Sequence, residues 1–281
     1  MPIDPQRLLA APPIETRHRL NKRDTMLYAL AIGADELHYV YEDGLVALPT
    51  MAVVLAYPGF IWRDPALGAD WRRILHGEQS IEIHRPLPVE GSFIGLTRFE
   101  AVADKGFGKG AVVTMSRTIS SDDGTLYAIA RMTTFLRGDG GCGSAGPASP
   151  PPAALPADRA PDIGLALPTA TNQAMLYRLL GDDNPLHIDP AVARAGGFDR
   201  PILHGLCSYG VVGRALLEVL CDTDPARLTR IDARFSAPVY PGETIATEIW
   251  RLGPGEAAFR ARVVERDIIV LTNGFARFTA S

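Results

Sequence analysis

The sequence predicts an α+β protein built from two copies of one unit, each an antiparallel sheet wrapped around a helix. The first of three observations is a repeat: Leu-Tyr-Ala-Leu at residues 27–30 recurs as Leu-Tyr-Arg-Leu at residues 176–179, an offset of about 150 residues. Second, each half ends in long runs in which Val, Ile, Thr and Phe alternate with other residues. Third, residues 206–220 have the length and apolar spacing of a mostly buried helix.

The predicted elements follow the same order in each copy. A helix is predicted over residues 25–32, with Asp24 as its N-cap and Gly33 at its C-terminal end, and a second one over residues 172–180. Half-buried antiparallel strands are predicted at residues 93–103, 110–119, 126–136, 244–252, 257–264 and 268–278. A helix wrapped by such a sheet is the hot-dog arrangement, so the chain is predicted to form a double hot dog with one continuous sheet.

A segment rich in Gly, Ala and Pro, residues 138–168, separates the two copies. This composition does not bury enough apolar surface to order itself, so it is predicted to be a linker that its prolines stiffen. The predicted domains are therefore an N-terminal unit of residues 1–137 and a C-terminal unit of residues 169–281.

Composition excludes several classes of partner. The formal net charge is −4 and the isoelectric point is near 5.9, which gives no electrostatic reason to bind nucleic acid or an anionic membrane. Cys142, Cys207 and Cys221 match neither a disulfide framework nor a metal motif, as expected in a reducing compartment. The first residues contain no apolar h-region, so no signal peptide is expected, and no apolar run is long enough to span a bilayer. A cytoplasmic protein is predicted.

The loop at residues 181–190, Gly-Asp-Asp-Asn-Pro-Leu-His-Ile-Asp-Pro, contains the candidate chemistry. The Asn184-Pro185 step forces a turn, so Asp182 and His187 need not follow helical spacing and can converge on one point. A carboxylate and an imidazole that share one water can orient it, remove its proton and return a proton elsewhere. Gly205 stands at the start of the predicted central helix, where its N–H could stabilise an oxyanion.

Each of these residues also has a structural interpretation. Asp182 or Asp183 could cap a helix or form an Asx-turn, which is the commoner role for Asp beside Gly. His204 is predicted to be a buried structural histidine. A metal cluster of these residues with His187 and Asp189 is disfavoured, because the loop lacks a tight His-x-x-x-His or Cys pattern. The sequence therefore predicts no metal.

The loop and the residues after it resemble a known family. Residues 177–190, Tyr-Arg-Leu-Leu-Gly-Asp-Asp-Asn-Pro-Leu-His-Ile-Asp-Pro, and residues 197–207, Gly-Phe-Asp-Arg-Pro-Ile-Leu-His-Gly-Leu-Cys, resemble the signature of the R-specific (type 2) enoyl-CoA hydratases, or MaoC-like dehydratases. In the first half, His-Gly-Glu-Gln at residues 76–79 and Arg-Pro-Leu-Pro at residues 85–88 resemble the two-domain form of eukaryotic multifunctional β-oxidation enzymes. The resemblance covers nearly the whole chain outside the linker and the first twenty or so residues.

This resemblance implies syn addition of water to a trans-2-enoyl-CoA, which gives a (3R)-3-hydroxyacyl-CoA with no metal or redox cofactor. Asp182 and His187 match the family's catalytic pair, Gly205 its oxyanion donor and Asn184 a supporting residue. The positions that match contacts to the CoA substrate are His76, Gly77, Lys105 and Phe235. The relatives also imply a homodimer.

The first copy of the loop is predicted to be catalytically silent. It has Ala34 where the second copy has Asp182, its Asp35 and His38 are three positions apart, and the Asn-Pro turn is missing. Its counterpart of the central helix, residues 51–57, is short and is followed by Pro-Gly. In the family such a half makes room for a bulky acyl chain, so a medium-chain, long-chain or branched substrate is predicted, and a sterol side chain is equally compatible.

Other functions share this fold. The same site could run in reverse as a 3-hydroxyacyl dehydratase in lipid or polyketide synthesis, because a catalyst accelerates both directions. A hot-dog thioesterase is disfavoured, since the intact Asp-Asn-Pro-Leu-His string belongs with hydration. A non-catalytic acyl-binding module would have a damaged Asp/His pair in both halves, and the second half is intact.

Overall fold

The computed structural model describes residues 3–149, 151 and 153–280. The strands are β1 (Ile14–Leu20), β2 (Ile74–Ile83), β3 (Gly91–Asp104), β4 (Ala111–Ser121), β5 (Leu126–Leu136), β6 (Ile163–Pro168), β7 (Leu228–Phe235), β8 (Thr244–Gly253), β9 (Glu256–Val263) and β10 (Ile268–Phe278). The α-helices are α1 (Pro5–Ala10), α2 (Lys22–Ala31), α3 (Leu37–Val40), α4 (Gln173–Tyr177), α5 (Pro190–Ala195) and α6 (Gly205–Leu220). The short 3-10 helices are Pro49–Val53, Ile61–Arg63, Pro65–Leu67, Trp71–Arg73, Arg178–Leu180, Pro185–His187 and Pro225–Arg227.

The ten strands form one antiparallel sheet in the order β1-β3-β4-β5-β2-β7-β10-β9-β8-β6. Counted from the outer edge of the sheet to its centre, the two halves have matching orders, β1-β3-β4-β5-β2 and β6-β8-β9-β10-β7. The copies join where β2 pairs with β7, with Ile81 opposite Ile231. The predicted double hot dog with one continuous sheet is therefore confirmed.

Helix α6 is the central helix of the second half, as predicted. Two glycines let it approach the first half closely, because a Cβ at Gly210 would lie 2.5 Å from Cγ2 of Ile32 and one at Gly213 would lie 2.4 Å from Cγ2 of Thr50. Its buried Tyr209 donates a hydrogen bond of 2.7 Å to the Ile231 carbonyl on β7. Close packing of this kind ties the helix to both halves of the sheet.

Among the described residues of the first half there is no equivalent central helix. The predicted counterpart at residues 51–57 is a single 3-10 helix, Pro49–Val53, and Ala56 then takes a positive φ of 47° that ends the turn. This segment lies directly on the sheet, where a Cβ at Gly95 would be 2.5 Å from the Ala56 carbonyl oxygen. Because the segment is short, part of the concave face of the first half remains free to line a cavity.

Two predictions about the flanking segments were wrong. The last six residues of the predicted linker form β6, which pairs with β8 from Ile163–Ile249 to Pro168–Thr244, because every second residue there is apolar despite the overall composition. The first helix begins at Lys22 and its N-cap is Asn21, whose side chain accepts from the Asp24 N–H at 3.1 Å, so Asp24 is not the cap. Among the described residues, no helix is long and apolar enough to cross a membrane.

Candidate active site

Local hydrogen bonds in the loop after Gly181 orient the candidate acid/base pair. The Asn184 side chain accepts from the Leu186 N–H at 3.1 Å and so caps the 3-10 helix that ends at His187. The Asp182 carboxylate accepts from the Asn184 N–H at 3.2 Å with one oxygen. Asp182 therefore forms the Asx-turn of the structural interpretation, and it also lines a cavity together with Asn184 and His187. Asn184 is a positioning residue for both.

His187 is buried and held in one tautomer. Its Nδ1 lies 2.9 Å from the Ile202 carbonyl oxygen, so this nitrogen carries the proton and Nε2 keeps a free lone pair. Burial lowers the pKa of His187 below its ordinary value of 6.5, against the opposing effects of the Ile202 carbonyl and the Asp182 carboxylate. A neutral imidazole with a free Nε2 at the cavity wall can act as a general base.

His204 packs against the His187 ring, as expected for a buried structural histidine. Its ring stacks on that of His187 with centroids 3.7 Å apart and planes at 26°. It is 1% exposed, and its Nε2 lies 3.3 Å from the Asp182 carbonyl oxygen. Burial and the neighbouring His187 lower the pKa of His204 to about 3, so the ring is neutral near pH 7.

A metal centre does not fit this group, although candidate ligand atoms of Asp182, His187 and His204 lie within 4.8 Å of one another. The two imidazole planes are nearly parallel, so their in-plane lone pairs run side by side instead of meeting about 2 Å from both nitrogens. Asp183 is exposed and Asp189 caps α5, so neither adds a ligand. That the reaction needs no metal stays a prediction.

Gly205 opens α6 beside the pair. Because it is the first residue of the helix, its N–H has no acceptor within the helix and lies at the positive end of the helix dipole. A Cβ at this position would be 3.1 Å from the Phe235 ring, so glycine fits where a larger residue would press on that side chain. The residue lines the cavity with Asp182 and His187. Its amide is therefore available to an oxygen of a bound molecule.

Three of the four predicted CoA-contact residues lie together near Gly205. The His76 ring meets the Phe235 ring edge-on at a centroid distance of 4.7 Å, and burial lowers the pKa of His76 to about 4. Gly77 lies at a register shift of β2, where a Cβ would be 2.7 Å from the Thr133 hydroxyl oxygen. Lys105 lies elsewhere, in the exposed turn between β3 and β4. The contacts of all four with CoA stay predictions.

The cavity has a volume of about 630 Å³ and extends from the loop into the first half. Its first-half wall includes side chains from four strands, namely Gln79, Thr97, Met115, Arg117, Ala130 and Thr134. This wall is the part of the sheet in the first half that the short Pro49–Val53 helix does not cover. Sequence reasoning missed Arg117 and Thr97, although period-two alternation along β4 would have placed Arg117 on the inner face.

The degenerate loop of the first half does not reach the cavity. Glu36 forms an ion pair with Arg214 at 2.9 Å, and the His38 ring packs on the Tyr39 ring with their centroids 4.0 Å apart. We therefore expect His38→Ala to leave kcat within about twofold of the unchanged protein, as for substitutions away from a site. Steady-state kinetics beside His187→Ala checks this. A loss in His38→Ala comparable to that in His187→Ala would contradict the silence of the first half.

The neutral state of His187 predicts a pH profile. A base must be unprotonated, and burial moves the His187 pKa below 6.5, so the neutral fraction persists to lower pH than for an exposed histidine. We expect kcat/KM to fall on the acid side with a midpoint below 6.5. A midpoint above 6.5 would mean that the required base is not this imidazole.

Two family models match the chain, one for each half. Residues 18–138 match the MFE-2 hydratase 2 N-terminal domain, and residues 153–273 match the MaoC like domain. A probable enoyl-CoA hydratase 2 of Dictyostelium discoideum is 40% identical over 277 residues, which cover 94% of this chain and 92% of that protein. The 3-hydroxyacyl-thioester dehydratase Y of Mycobacterium tuberculosis is 42% identical and covers 92% of each chain.

A solved structure agrees with these matches over the whole length. The MaoC-like dehydratase of Phytophthora capsici has a TM-score of 0.90 and 37% identity to this chain, and the similarity covers 98% of this chain and 99% of that one. Both halves of the sheet, the single central helix and the loop that precedes it fall within the matched region. The chain therefore belongs to the family of MaoC-like dehydratases and type 2 enoyl-CoA hydratases, in its two-domain form.

Proposed function

We propose that the protein adds water to the C2–C3 double bond of a trans-2-enoyl-CoA and forms a (3R)-3-hydroxyacyl-CoA. The observation that carries this proposal is the convergence of Asp182 and the free Nε2 of His187 on one cavity, with the Gly205 amide beside them. The printed names of relatives, an enoyl-CoA hydratase 2 and a 3-hydroxyacyl-thioester dehydratase, support this chemistry.

In the proposed reaction, Asp182 and His187 hold one water molecule. His187 Nε2 removes a proton as the water oxygen bonds to C3, and the electron pair of the double bond moves toward the thioester carbonyl. The Gly205 N–H stabilises the negative charge on that oxygen. The enolate carbon C2 then takes a proton that the pair returns on the same face, so hydroxyl and hydrogen enter syn. The product therefore contains the atoms of the substrate and of one water molecule, and the catalytic pair returns to its starting protonation state.

The proposed substrates are medium-chain, long-chain or branched, because the cavity continues into the first half where a central helix would otherwise lie. The reverse reaction, dehydration of a 3-hydroxyacyl thioester, uses the same groups and is the second candidate. Its support is the name of the mycobacterial relative. The ratio of substrate to product in the cell decides the direction, so both activities belong to one catalyst.

A chain-length series tests the proposal. Purified protein is offered straight-chain and branched trans-2-enoyl-CoAs of increasing length, and loss of the conjugated double bond, chirality of the product and release of free CoA are followed. We expect (3R) product, rising kcat/KM with chain length and no release of free CoA. An (S) product would contradict the proposed stereochemistry, and release of free CoA without hydration would indicate a thioesterase.

By the same family relation we propose a cytoplasmic homodimer. Light scattering should then give a mass near twice the chain's 30.3 kDa. A mass of one chain at micromolar concentration would contradict this. Because a plant relative is named peroxisomal, localisation of a fluorescent fusion tests the compartment directly.

A further inference from the structure

The first-half wall of the cavity contains a buried cation without a counter-ion. Arg117 projects inward from β4, is 5% exposed and lines the cavity. Its Nη2 donates to the carbonyl oxygens of Ala52 at 3.2 Å and Val53 at 2.7 Å, and its guanidinium lies 5.2 Å from the centre of the Tyr57 ring. In the described part of the chain no carboxylate pairs with Arg117, and its buried Nε has no hydrogen-bond partner.

The guanidinium is charged at neutral pH. Burial lowers the pKa of Arg117 to about 10, which still leaves the group protonated. A buried charge is normally paired or neutralised by an opposite charge nearby. The cavity wall therefore presents a positive group whose natural partner is an anion that the described residues do not supply.

A second unpaired donor lies next to it. Thr97 on β3 is directly opposite Arg117 in the sheet register, is 6% exposed and also lines the cavity. Its hydroxyl has no partner among the described residues. The Cβ atoms of directly opposed residues are about 5 Å apart, so Thr97 and Arg117 lie side by side on the same part of the cavity wall.

This pair is distinct from the acid/base pair but belongs to the same cavity. Tyr57 lines the cavity together with Asp182, and the Arg117 guanidinium lies 5.2 Å from the centre of its ring. Because Asp182, Tyr57 and Arg117 line one cavity, an acyl chain with its thioester at Asp182 can extend toward Arg117.

A purely structural role accounts for only part of these contacts. Through Nη2, Arg117 satisfies two carbonyls at the end of the Pro49–Val53 helix, and a cation there is favourable. That role does not require the Thr97 hydroxyl, and it leaves Nε of Arg117 without a partner. Lysine or a water molecule could satisfy the same carbonyls without a fork-shaped donor set.

We propose that Arg117 and Thr97 bind a carboxylate at the far end of the acyl chain, so that the protein accepts CoA thioesters of ω-carboxylated acids. This inference rests on the proposed function for the position of the thioester and adds the class of the distal group. A carboxylate would accept from the guanidinium and from the Thr97 hydroxyl and would neutralise the buried charge. A terminal methyl group would leave the Arg117 Nε and the Thr97 hydroxyl without a partner and the buried charge without a counter-ion.

Binding of unreactive ligands tests the proposal apart from turnover. Saturated acyl-CoAs and their ω-carboxylated counterparts of equal length are titrated by calorimetry into the unchanged protein and into Arg117→Met, Arg117→Lys and Thr97→Val. We expect the ω-carboxylated ligand to bind more tightly at one chain length, and Arg117→Met to weaken it about 10- to 100-fold without weakening the methyl-terminated one. Arg117→Lys should recover part of the loss.

Thr97→Val keeps the test sharp if Arg117→Met does not fold. Valine has nearly the same shape as threonine, and the hydroxyl that it removes has no hydrogen-bond partner among the described residues. The fold should therefore tolerate the substitution. We expect about fivefold weaker binding of the ω-carboxylated ligand. The matched control is Thr247→Val, which removes another buried, unpaired hydroxyl from β8, away from the cavity wall. It should change neither affinity.

Two results would overturn the inference. One is equal binding of carboxylate-terminated and methyl-terminated ligands by the unchanged protein at every length. The other is a Thr97→Val protein that cannot be distinguished from Thr247→Val. Because these ligands have no double bond to hydrate, failure of the proposed hydratase activity would appear only in the turnover assay and not in this comparison.

Discussion

Asp182→Asn and His187→Gln are each expected to lower kcat for hydration by about 10³-fold, because general acid–base groups contribute about 10² to 10⁴. Glutamine keeps an amide near the Ile202 carbonyl but has no lone pair that can take a proton at neutral pH. Asparagine keeps the acceptor for the Asn184 N–H and removes the charge. Steady-state and single-turnover kinetics with one enoyl-CoA measure both effects.

The double variant separates shared from independent roles. Since both groups act on one water, we expect Asp182→Asn with His187→Gln to be little worse than the poorer single variant. Thermal unfolding serves as the control, because both side chains line the cavity and conservative changes there should alter the melting temperature only slightly. Retention of more than about a tenth of the activity in either single variant would exclude that residue from the chemistry.

Gly205→Pro is expected to lower kcat by about 10² to 10³, the usual cost of losing one oxyanion donor. Proline has no N–H, yet it suits the first position of an α-helix, and His204 already has the extended backbone (φ −58°, ψ 134°) that a following proline requires. The substitution therefore removes the donor while the start of α6 is kept.

Gly205→Ala is the matched control for that variant. It adds a Cβ at the same 3.1 Å from Phe235 but retains the N–H. The ratio of kcat values between the alanine and proline variants isolates the amide, and circular dichroism and thermal unfolding check that α6 is intact in both. Equal kcat in the two variants would show that the Gly205 amide does not carry the developing charge.

The sequence predicted strands and helices correctly where the alternation or spacing of apolar residues continued over many positions. The last strand of each half, β5 or β10, has the predicted bounds. Helix α6 begins at Gly205, one residue before the predicted start. Less regular segments were missed. The edge strand β6 lies in a Gly- and Pro-rich stretch, where composition averaged over many residues hides an apolar alternation of only six.

The site was predictable in part for a related reason. The loop at residues 181–190 is shaped by local hydrogen bonds, such as the Asn184 cap before His187. Local bonds of this kind can be predicted from neighbouring residues in the sequence. Arg117 and Thr97 meet only because β3 and β4 pair in one register and because a helix is missing above them. Such contacts depend on tertiary packing, which local patterns do not encode.

The two copies differ in their central helix and contribute different parts of the cavity wall. The second half keeps the helix, whose first residue supplies the candidate oxyanion donor, and the first half exposes the inner face of its sheet to the cavity. Because one continuous sheet joins the copies through β2 and β7, the reacting end and the distal end of an acyl chain can be held by a single rigid frame.

The face of addition tests the central claim most directly. Hydration of a trans-2-enoyl-CoA is run in deuterium oxide, and the relative configuration at C2 and C3 of the product is determined by NMR. One Asp182/His187 pair that delivers the hydroxyl and then the deuteron from the same side predicts a (3R) product of syn addition. An anti product, or deuterium distributed equally over both positions at C2, would contradict the account.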